Sequence, residues 1–420
     1  MTRLKPYEIH TINGLKVAFY PIKGFPAIKA NLYVHGGSSY EKGPKWGAFH
    51  FVEHLCFEGT KIFPNRSEVE LYKEEYGLNS NATTGLSYIK FWTYGPSQSL
   101  QQALTLINEL AFNARLPESS YQKQVSIITQ ELKGHWDNLN FRFGYENLKQ
   151  LFGEKHIYTQ DPGGQAEYLS TLTRDDLLKI HNKFFKNENS ILTITGDFEI
   201  ESAKEFIKKI FLATDGKHHP FPKFPIKPGK KTNLHIEDVQ QNRINLMWTG
   251  KGSNDNSFVD NLALQIGAYI LGGSSRSFLN KQLRESLHLV YTNGFSRSLF
   301  PHAGSLIAWA ATTPDNTQTA VEEMRKIVYD FLKQPIEEKL FQRSVNFIKS
   351  STSLSYDSIH SISDSITNYL FREDKIRLPE EIIEDLDSIT EAKVREVLGH
   401  YIKPENEYLA IMTKDKNLKI

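Results

Sequence analysis

TRDDLLKIHNKFFKNENSILTI (Thr173–Ile194) and TEAKVREVLGHYIKPENEYLAI (Thr390–Ile411) are two copies of one pattern, one in each half of the chain. Aligned without gaps, both copies begin with threonine and carry the dipeptide Glu-Asn ahead of their last apolar residues. Each copy predicts a short amphipathic helix, a turn and a strand. The recurrence at one fixed offset, which brings Thr173 onto Thr390, indicates that the chain contains two copies of one domain.

The features predicted ahead of these segments also recur in each half. A predicted hairpin precedes a helix, a proline break and a second long helix. In the first half the hairpin, helix and break lie at Ser80–Tyr94, Ala103–Phe112 and Pro117, and in the second half at Leu289–Ala311, Ala320–Leu332 and Pro335. Strands combined with helix pairs in each half predict an α+β fold of two duplicated domains.

A proline-rich segment separates the two halves. DGKHHPFPKFPIKPGKK (Asp215–Lys231) contains four prolines. Proline at this density interrupts helices and central strands and favours an extended connector. The sequence therefore predicts a domain at residues 1–214, a linker at 215–231 and a second domain at 232–420.

Composition excludes several classes of protein. The 50 Lys and Arg residues nearly balance the 49 Asp and Glu residues of this 420-residue chain, which argues against a nucleic-acid-binding protein. The single cysteine, Cys56, rules out an intrachain disulfide and favours a cytoplasmic location. No apolar run reaches the roughly 20 residues of a membrane span. No apolar core follows Arg3 and Lys5, so no secretory signal is expected.

The segment WGAFHFVEHLCFEGT (Trp46–Thr60) contains the pattern H-x-x-E-H, formed by His50, Glu53 and His54. Histidines four residues apart lie on one face of a helix, about 6 Å apart along its axis. Both imidazoles can therefore bind one tetrahedral zinc ion. Glu53 is offset around the helix, where it can act on water as a general base without binding the metal.

Two histidines do not complete a catalytic zinc site, which has three protein ligands and one open position. A carboxylate is the expected third ligand, and the helix predicted at QKQVSIITQELKGHW (Gln122–Trp136) offers Glu131. His135, one helical turn further along, is an alternative ligand. The five-residue motif alone also fits an ordinary solvated helix face, so it does not decide the function.

Longer stretches resemble the inverted-zinc metallopeptidases, the family of pitrilysin, insulin-degrading enzyme and mitochondrial processing peptidase, in its two-domain bacterial form. H-x-x-E-H is the motif of these inverzincins. The matching segments are INGLKV (Ile12–Val17), GGSSYE (Gly36–Glu41), the metal motif with its flanks (Gly47–Thr60) and NATT (Asn81–Thr84). The resemblance covers most of both halves and implies a zinc-dependent peptidase.

The resemblance also implies the identity of the third metal ligand. In the family, a characteristic spacing separates the second histidine from a ligand glutamate, and Glu131 stands at this spacing from His54. This favours Glu131 over His135. The family often has a further acid seven residues before the ligand glutamate, where this chain has Gln124. A neutral amide outside the ligands is expected to alter metal affinity or the acidity of bound water.

The second half lacks the metal motif, because Gly267 stands at the position that aligns with His50 in the repeat. In the family this half instead provides an arginine and a tyrosine, seven residues apart, that bind the peptide substrate. LRESLHLVY (Leu283–Tyr291) has Arg284 and Tyr291 at this spacing, with His288 where the family commonly has glycine. These residues are the expected contribution of the second domain, through a peptide carbonyl and a developing oxyanion.

The sequence therefore predicts a zinc endopeptidase that binds one Zn²⁺ per chain through His50, His54 and Glu131. By resemblance, two mixed, mostly antiparallel sheets packed against helices face each other as a clamshell. Peptides or unfolded segments would be hydrolysed in the enclosed cavity, with Asn81 and Ala82 on an edge strand that binds the peptide backbone.

Partners are implied in the same way. Larger members of the family have four such domains in one chain, so this chain is expected to pair with a copy of itself or with a related chain. The alternative function is a non-catalytic or accessory subunit of a paired peptidase complex. The intact metal motif argues against this alternative.

Overall fold

The computed structural model describes residues 6–418, so Arg3 and Lys5 lie outside the described residues. The strands are β1 (Glu8–Ile12), β2 (Leu15–Pro21), β3 (Ala27–His35), β4 (Asn79–Thr84), β5 (Tyr88–Pro96), β6 (Ser190–Gly196), β7 (Thr232–Ile236), β8 (Asn242–Gly250), β9 (Val290–Leu299), β10 (Gly304–Thr312) and β11 (Glu407–Thr413). The α-helices are α1 (Ala48–Cys56), α2 (Arg66–Tyr76), α3 (Leu100–Phe112), α4 (Tyr121–Asp137), α5 (Leu139–Phe152), α6 (Ala166–Leu169), α7 (Arg174–Phe184), α8 (Ile200–Ile210), α9 (Phe258–Gly272), α10 (Thr317–Lys333), α11 (Glu338–Leu354), α12 (Ile359–Glu373), α13 (Pro379–Asp387) and α14 (Glu391–Tyr401). A π-helical turn spans Asn280–Ser286, and 3-10 turns span Ser38–Tyr40, Gly43–Lys45, Ser97–Ser99, Glu118–Ser120, Ile157–Thr159, Asn187–Asn189, Pro314–Asn316 and Pro404–Asn406.

The duplication predicted from the sequence is confirmed element by element. Helix α7, a 3-10 turn and strand β6 recur in the second half as α14, a 3-10 turn and β11, with the same first and last positions in the aligned repeat. The threonine before each helix caps it, because Thr173 accepts a hydrogen bond from the N–H of Asp176, as Thr390 does from that of Lys393. The two predicted hairpins are β4–β5 and β9–β10.

The described residues form two compact units, and each unit takes one segment from the other half of the chain. Within the described range, the first unit consists of residues 6–138, Gln160–Pro222 and Ser355–Leu378, and the second of Leu139–Thr159, Lys223–Leu354 and residues 379–418. Helix α12 therefore belongs to the first unit and α5 to the second. This division differs from the continuous domains that the linker indicates. In each unit, a helix from the other half of the chain packs against the sheet.

The first unit contains a six-stranded mixed sheet in the order β1-β2-β6-β3-β5-β4. Only β2 and β6 pair in parallel. Helices α1, α3, α7 and α8 share one apolar core with the strands. Helix α12 covers the other face of β3, where Asn31 donates hydrogen bonds to Ser363, Asp364 and Thr367 at 2.9–3.1 Å. Both faces of β3 are buried in this way.

The second unit contains a five-stranded sheet in the order β7-β11-β8-β10-β9. This order repeats β2-β6-β3-β5-β4 of the first unit, including a single parallel pair, β7 with β11. The α+β fold of two duplicated, mostly antiparallel sheets is therefore confirmed. Residues 212–230, which include most of the predicted linker, contain neither helix nor strand. Among the described helices, none combines the length and the apolar character that crossing a bilayer requires.

Candidate metal centre

Helix α1 carries the metal motif, and the preceding residues fix where the helix begins. The carboxylate of Glu41 accepts hydrogen bonds from the N–H groups of Gly47 and Phe49 at 2.8 and 2.7 Å. Both groups belong to the first turn, whose donors have no partner within the helix. Gly47 has φ +95°, and a Cβ there would lie 2.7 Å from the carbonyl oxygen of Gly163, so only glycine fits.

The three predicted ligands lie together. The Nε2 atoms of His50 and His54 are 3.2 Å apart, and Glu131 Oε2 is 3.9 and 3.5 Å from them. Within the described residues, this trio is the one group of three or more His, Cys, Asp or Glu side chains with ligand atoms close enough to share a metal ion. Helix α4 supplies Glu131, whose side chain is 44% exposed, so the cluster opens to solvent.

Burial keeps one of the two histidines neutral. Burial, reinforced by the nearby His54 and His135, lowers the pKa of His50 to about 3. A neutral imidazole is the form that binds a metal. The loop beside the His50 ring is held by Asp161, which accepts a hydrogen bond from the N–H of Gly163 at 2.8 Å, and a Cβ at Gly163 would lie 3.6 Å from His50 Nδ1.

The Nδ1 atom of His54, which is not the nitrogen that faces His50 and Glu131, contacts a chain of hydrogen-bonded polar groups. It lies 2.9 Å from Gln124 Oε1, and Gln124 Nε2 donates to Glu58 Oε1 at 2.8 Å. Arg66 lies 3.3 Å from the same carboxylate. Gln124 is fully buried, so its amide has a fixed orientation. The oxygen facing His54 requires a proton on Nδ1, which leaves Nε2 free for a metal.

Glu53 is not part of the ligand trio, but it is close enough to Glu131 for the two charges to interact, and its side chain contacts strand β4. Its carboxylate accepts a hydrogen bond from the hydroxyl of Thr84, the last residue of β4. Burial raises the pKa of Glu53 to about 7, and the hydrogen bond from Thr84 opposes this shift. A carboxyl group with a pKa near neutrality can both accept and return a proton.

Strand β4 is the edge of the first sheet, as the resemblance implied for Asn81 and Ala82. The side-chain oxygen of Asn81 accepts a hydrogen bond from the N–H of Ala82 at 2.9 Å. Asn81 is exposed and Ala82 is buried. The N–H of Ala82 at this open edge therefore donates to the Asn81 side chain and not to another strand.

His135 lies outside the ligand trio. Its ring is 58% exposed, and Nδ1 is 3.9 Å from Asp161 Oδ2. His135 is close enough for its charge to act on His50, but its ring nitrogens are not among the clustered ligand atoms. The choice of Glu131 over His135 stays a prediction, which the clustering of Glu131 with the two histidines supports.

Arg284 and Tyr291 belong to the second unit. Arg284 lies in the π-helical turn, and Tyr291 is in β9 with 54% of its surface exposed. His288 has φ +53°, a left-handed conformation that explains why glycine suits this position. The His288 ring nitrogen lies 3.1 Å from the carbonyl oxygen of Arg284. The role of the arginine and the tyrosine toward substrate stays a prediction.

The sequence motifs did not identify three residues that support the site: Glu58, Thr84 and Asp161. Glu58 meets Gln124 across 66 positions of the chain, and Thr84 meets Glu53 across 31. Such contacts depend on tertiary packing, which local patterns do not reveal. Thr84 had one available signal, since it ends the N-A-T-T segment of the resemblance.

Two family models match the chain. Residues 24–150 match the model described as Insulinase (Peptidase family M16), and this range contains the ligand trio and Glu53. Residues 171–347 match the model described as Peptidase M16 inactive domain, and this range contains Arg284 and Tyr291. Neither range alone spans half of the chain, but together they cover most of both halves.

Individual proteins are similar over nearly the whole chain. An uncharacterized zinc protease of Rickettsia bellii is 25% identical over 389 residues, 91% of this chain and 91% of that protein. The crystal structure of a peptidase M16 inactive domain from Pseudomonas fluorescens has a TM-score of 0.87 at 17% identity and covers 99% of this chain and 100% of that chain. The periplasmic protease PqqL of Escherichia coli has a TM-score of 0.85 at 18% identity, over 99% of this chain and 48% of that chain. The two solved structures share the fold of this chain.

Proposed function

Because the chain belongs to peptidase family M16, in its two-domain bacterial form, we propose that it is a zinc-dependent endopeptidase. We propose His50, His54 and Glu131 as the ligands of one Zn²⁺ and Glu53 as the general base. The proposed substrates are peptides or unfolded segments of polypeptide.

The separation of the three ligand atoms is the observation that carries this proposal. Ligand atoms bound to tetrahedral zinc at about 2.0–2.1 Å lie about 3.4 Å from one another. The separations in this chain, 3.2, 3.5 and 3.9 Å, bracket that value. Two imidazoles and one carboxylate are also a donor set that zinc accepts in catalytic sites. The residues present therefore fit the metal.

Zinc, when bound, supplies a Lewis acid that makes water more acidic and polarises a peptide carbonyl. Glu53 then takes a proton from the attacking water and passes it to the nitrogen of the leaving amine. Its raised pKa suits both steps, since the protonated and ionised forms are both accessible near neutrality. Thr84 holds the carboxylate by a hydrogen bond and so limits the directions in which the proton can be transferred.

Binding of the peptide backbone is proposed at the free edge of β4. An extended peptide added to this edge would accept a hydrogen bond from the N–H of Ala82, in place of the Asn81 side chain. Strand β4 also ends at Thr84, which contacts the proposed base, so an added strand would run toward Glu53. We propose Arg284 and Tyr291 as further groups that bind the substrate, on the basis of their spacing in the sequence.

The non-catalytic alternative has less support. The family model described as the inactive domain matches residues 171–347, and this range contains no residue of the ligand trio. All three ligands and Glu53 fall in the range that matches the Insulinase model. A chain that had lost catalysis would be under no requirement to keep a neutral buried imidazole opposite a second histidine and a glutamate.

We also propose that two such chains pair. The fold of this chain matches about half of the PqqL chain, so two copies would supply as many such domains as the PqqL chain has. Mixing the Glu53→Gln protein with the Arg284→Ala protein separates two arrangements. Hydrolysis regained on mixing means that Arg284 serves the metal centre of a partner, whereas no regained hydrolysis means that each chain uses its own. The cytoplasmic location stays a prediction, testable by cell fractionation.

The proposed function is tested with the purified chain alone. Metal analysis should give one zinc per chain, and the protein should hydrolyse an unstructured peptide at internal bonds. Removal of zinc by a chelator should abolish hydrolysis, and added zinc should restore it. A protein that binds zinc at one equivalent but hydrolyses no peptide would favour the accessory subunit instead.

A further inference from the structure

A cavity of about 920 Å³ lies in the second unit, between the open face of its sheet and helix α5. The sheet side is formed by alternating residues of β8, β10 and β9, and the helix side by Phe141, Phe143 and Leu151 together with polar neighbours. Its volume falls within the range of small-molecule and peptide-binding pockets. The metal centre belongs to the other unit, so this cavity is a separate feature of the chain.

The duplicated fold supplies an internal comparison for this cavity. Lys29 of β3 pairs with Thr195 and Tyr94 on the neighbouring strands. Arg243 of β8 pairs with Met412 and Ala311, which are the residues that align with Thr195 and Tyr94 in the repeat. Arg243 is therefore the counterpart of Lys29 in the second sheet.

The next pair along the same face corresponds in the same way. Asn31 pairs with Trp92 on β5, and Asn245 pairs with Trp309 on β10. Each sheet thus presents a cation, an asparagine and a tryptophan at matching positions on one face. The two faces differ in what covers them.

In the first unit a carboxylate occupies this face. Asp364 of α12 lies 3.0 Å from Lys29 Nζ and 3.0 Å from Asn31 Nδ2, and Lys90 Nζ is 2.7 Å from the same oxygen. The carboxylate neutralises a lysine that is only 4% exposed. A buried cation requires such a partner.

In the second unit that carboxylate is missing. No aspartate or glutamate lines the described cavity, and Arg243 makes no ion pair with a described residue. Two buried polar atoms of the lining also have no hydrogen-bond partner within the described structure, Asn147 Oδ1 and Ser305 Oγ. Buried polar groups are normally satisfied, so these two atoms are available for hydrogen bonds with a ligand or with water.

The indole ring of Trp309 exposes part of its surface on this face of the sheet. Trp309 pairs with Gly294 of β9, and a Cβ at Gly294 would lie 2.4 Å from the indole ring. The ring therefore lies over the glycine and keeps 37% of its surface exposed. An exposed indole beside the phenyl rings of α5 favours an aromatic or bulky aliphatic group.

We propose that this cavity binds the substrate peptide through a bulky apolar side chain placed next to a carboxylate. The carboxylate takes the position that Asp364 holds in the first unit and is bound by Arg243 and Asn245. The apolar side chain packs on Trp309. A guanidinium can bind a carboxylate through two parallel hydrogen bonds, which favours this ligand over a neutral one. The inference rests on the proposed function only in naming the ligand as substrate, because the binding site itself is independent of hydrolysis.

The carboxylate has two possible sources, the peptide's free carboxyl terminus and an acidic side chain. The probes are acetyl-Leu-Phe with a free carboxylate, acetyl-Leu-Phe amide and acetyl-Asp-Phe amide. Binding is measured by calorimetry and by tryptophan fluorescence on the full chain carrying Glu53→Gln, which prevents turnover. The free acid should bind roughly ten- to a hundredfold more tightly than the Leu-Phe amide. The Asp-Phe amide identifies the source, since it equals the free acid only if a side-chain carboxylate is accepted.

Substitution of Arg243 locates the effect. Adding Arg243→Gln should remove the difference between acid and amide, whereas Arg343→Gln, an exposed arginine of the same unit, should preserve it. Equal binding of acid and amide, binding of neither, or a difference that survives Arg243→Gln would overturn the proposal. The acid–amide comparison, repeated on zinc-free protein so that the metal binds no carboxylate, needs no substitution in the cavity and stands even if the Arg243 variant does not fold. Hydrolysis by the chain with Glu53 intact is a separate measurement, so failure of the proposed function and failure of this site are distinguishable.

Discussion

The side-chain amide of Gln124 donates a hydrogen bond to the carboxylate of Glu58 across 2.8 Å. The other end of the amide faces the Nδ1 atom of His54 at 2.9 Å. The family commonly has an acid where Gln124 stands. In this chain the acid is Glu58, which contacts Gln124 and not the proposed ligand His54 itself. Polarisation of the amide by Glu58 transmits part of that negative charge to the imidazole.

Substitution Glu58→Gln is therefore expected to weaken zinc binding by up to about tenfold, because contacts outside the ligands tune metal affinity. Competition with a chromogenic chelator measures the affinity. The exposed Glu74→Gln, in the neighbouring helix α2, serves as the matched control and should leave the affinity unchanged.

The reciprocal exchange sharpens this test. Gln124→Glu alone would place a second carboxylate against buried Glu58 and should lower the melting temperature. Combined with Glu58→Gln, the same change restores one acid and one amide and should recover most of the stability and zinc affinity. Unchanged affinity in Glu58→Gln together with no recovery in the double variant would show that the pair does not act on His54.

Thr84→Val removes the hydroxyl that donates to Glu53 while nearly preserving the shape of the side chain. We expect kcat/KM for peptides to fall roughly ten- to a hundredfold, the value of one hydrogen bond to a charged group. Zinc content should not change. Thr83→Val, the exposed neighbour on β4, is the control. Equal activity of the two variants would remove Thr84 from the account.

The choice between Glu131 and His135 is tested by metal content. Glu131→Gln should lose most of the zinc, since its carboxylate lies 3.5 Å from His54 Nε2. His135→Ala should keep one zinc per chain, since its ring is 58% exposed and lies beside Asp161. The opposite pattern in elemental analysis would assign the third ligand to His135.

Asp364 is expected to make the stability of the chain depend on pH. Burial opposes its ionisation, but hydrogen bonds and charges from Lys90 and Lys29 outweigh burial and hold its pKa below the ordinary value. A carboxyl group with a lower pKa in the folded state stabilises the fold above its unfolded pKa of about 3.9 and loses this contribution as the pH falls through the folded value.

Asp364→Asn should therefore lower the free energy of unfolding at pH 7 by about 1–3 kcal/mol, because buried Lys29 loses its carboxylate. Well below the lowered pKa of Asp364 both proteins carry a neutral side chain at this position, so the difference measured at strongly acidic pH should nearly disappear. Urea denaturation at the two pH values provides the comparison. An equal difference at both values would mean that the loss comes from packing and not from charge.

Local pattern was enough to predict the repeated elements. Thr173 and Thr390 stand at helix starts where their side chains satisfy free N–H groups, and Pro117 and Pro335 marked the break between the two helices of each pair. The H-x-x-E-H spacing predicted which side chains of α1 share a face. These features depend on residues close together in the chain, so the sequence shows them directly.

Contacts between distant segments were not predictable in the same way. The exchange of α5 and α12 between units depends on which polar groups each sheet leaves uncovered, and Asn31 finds its partners on α12, in the other half of the chain. Arg243 gave no signal in the sequence, because its lack of a carboxylate partner appears only when the register of β8 and β10 is known. Both features follow from pairing between strands and helices that no short window contains.

Zinc content and peptide hydrolysis of Glu53→Gln, measured on the same sample, test the central claim most directly. Because His50, His54 and Glu131 are the proposed metal ligands and Glu53 the proposed proton acceptor, the variant should keep one zinc per chain and lose turnover by several orders of magnitude. Glutamine preserves the size of the side chain and can still accept the hydrogen bond from Thr84. Turnover near the wild-type rate, or zinc lost in proportion to activity, would contradict the separation of the general base from the metal ligands.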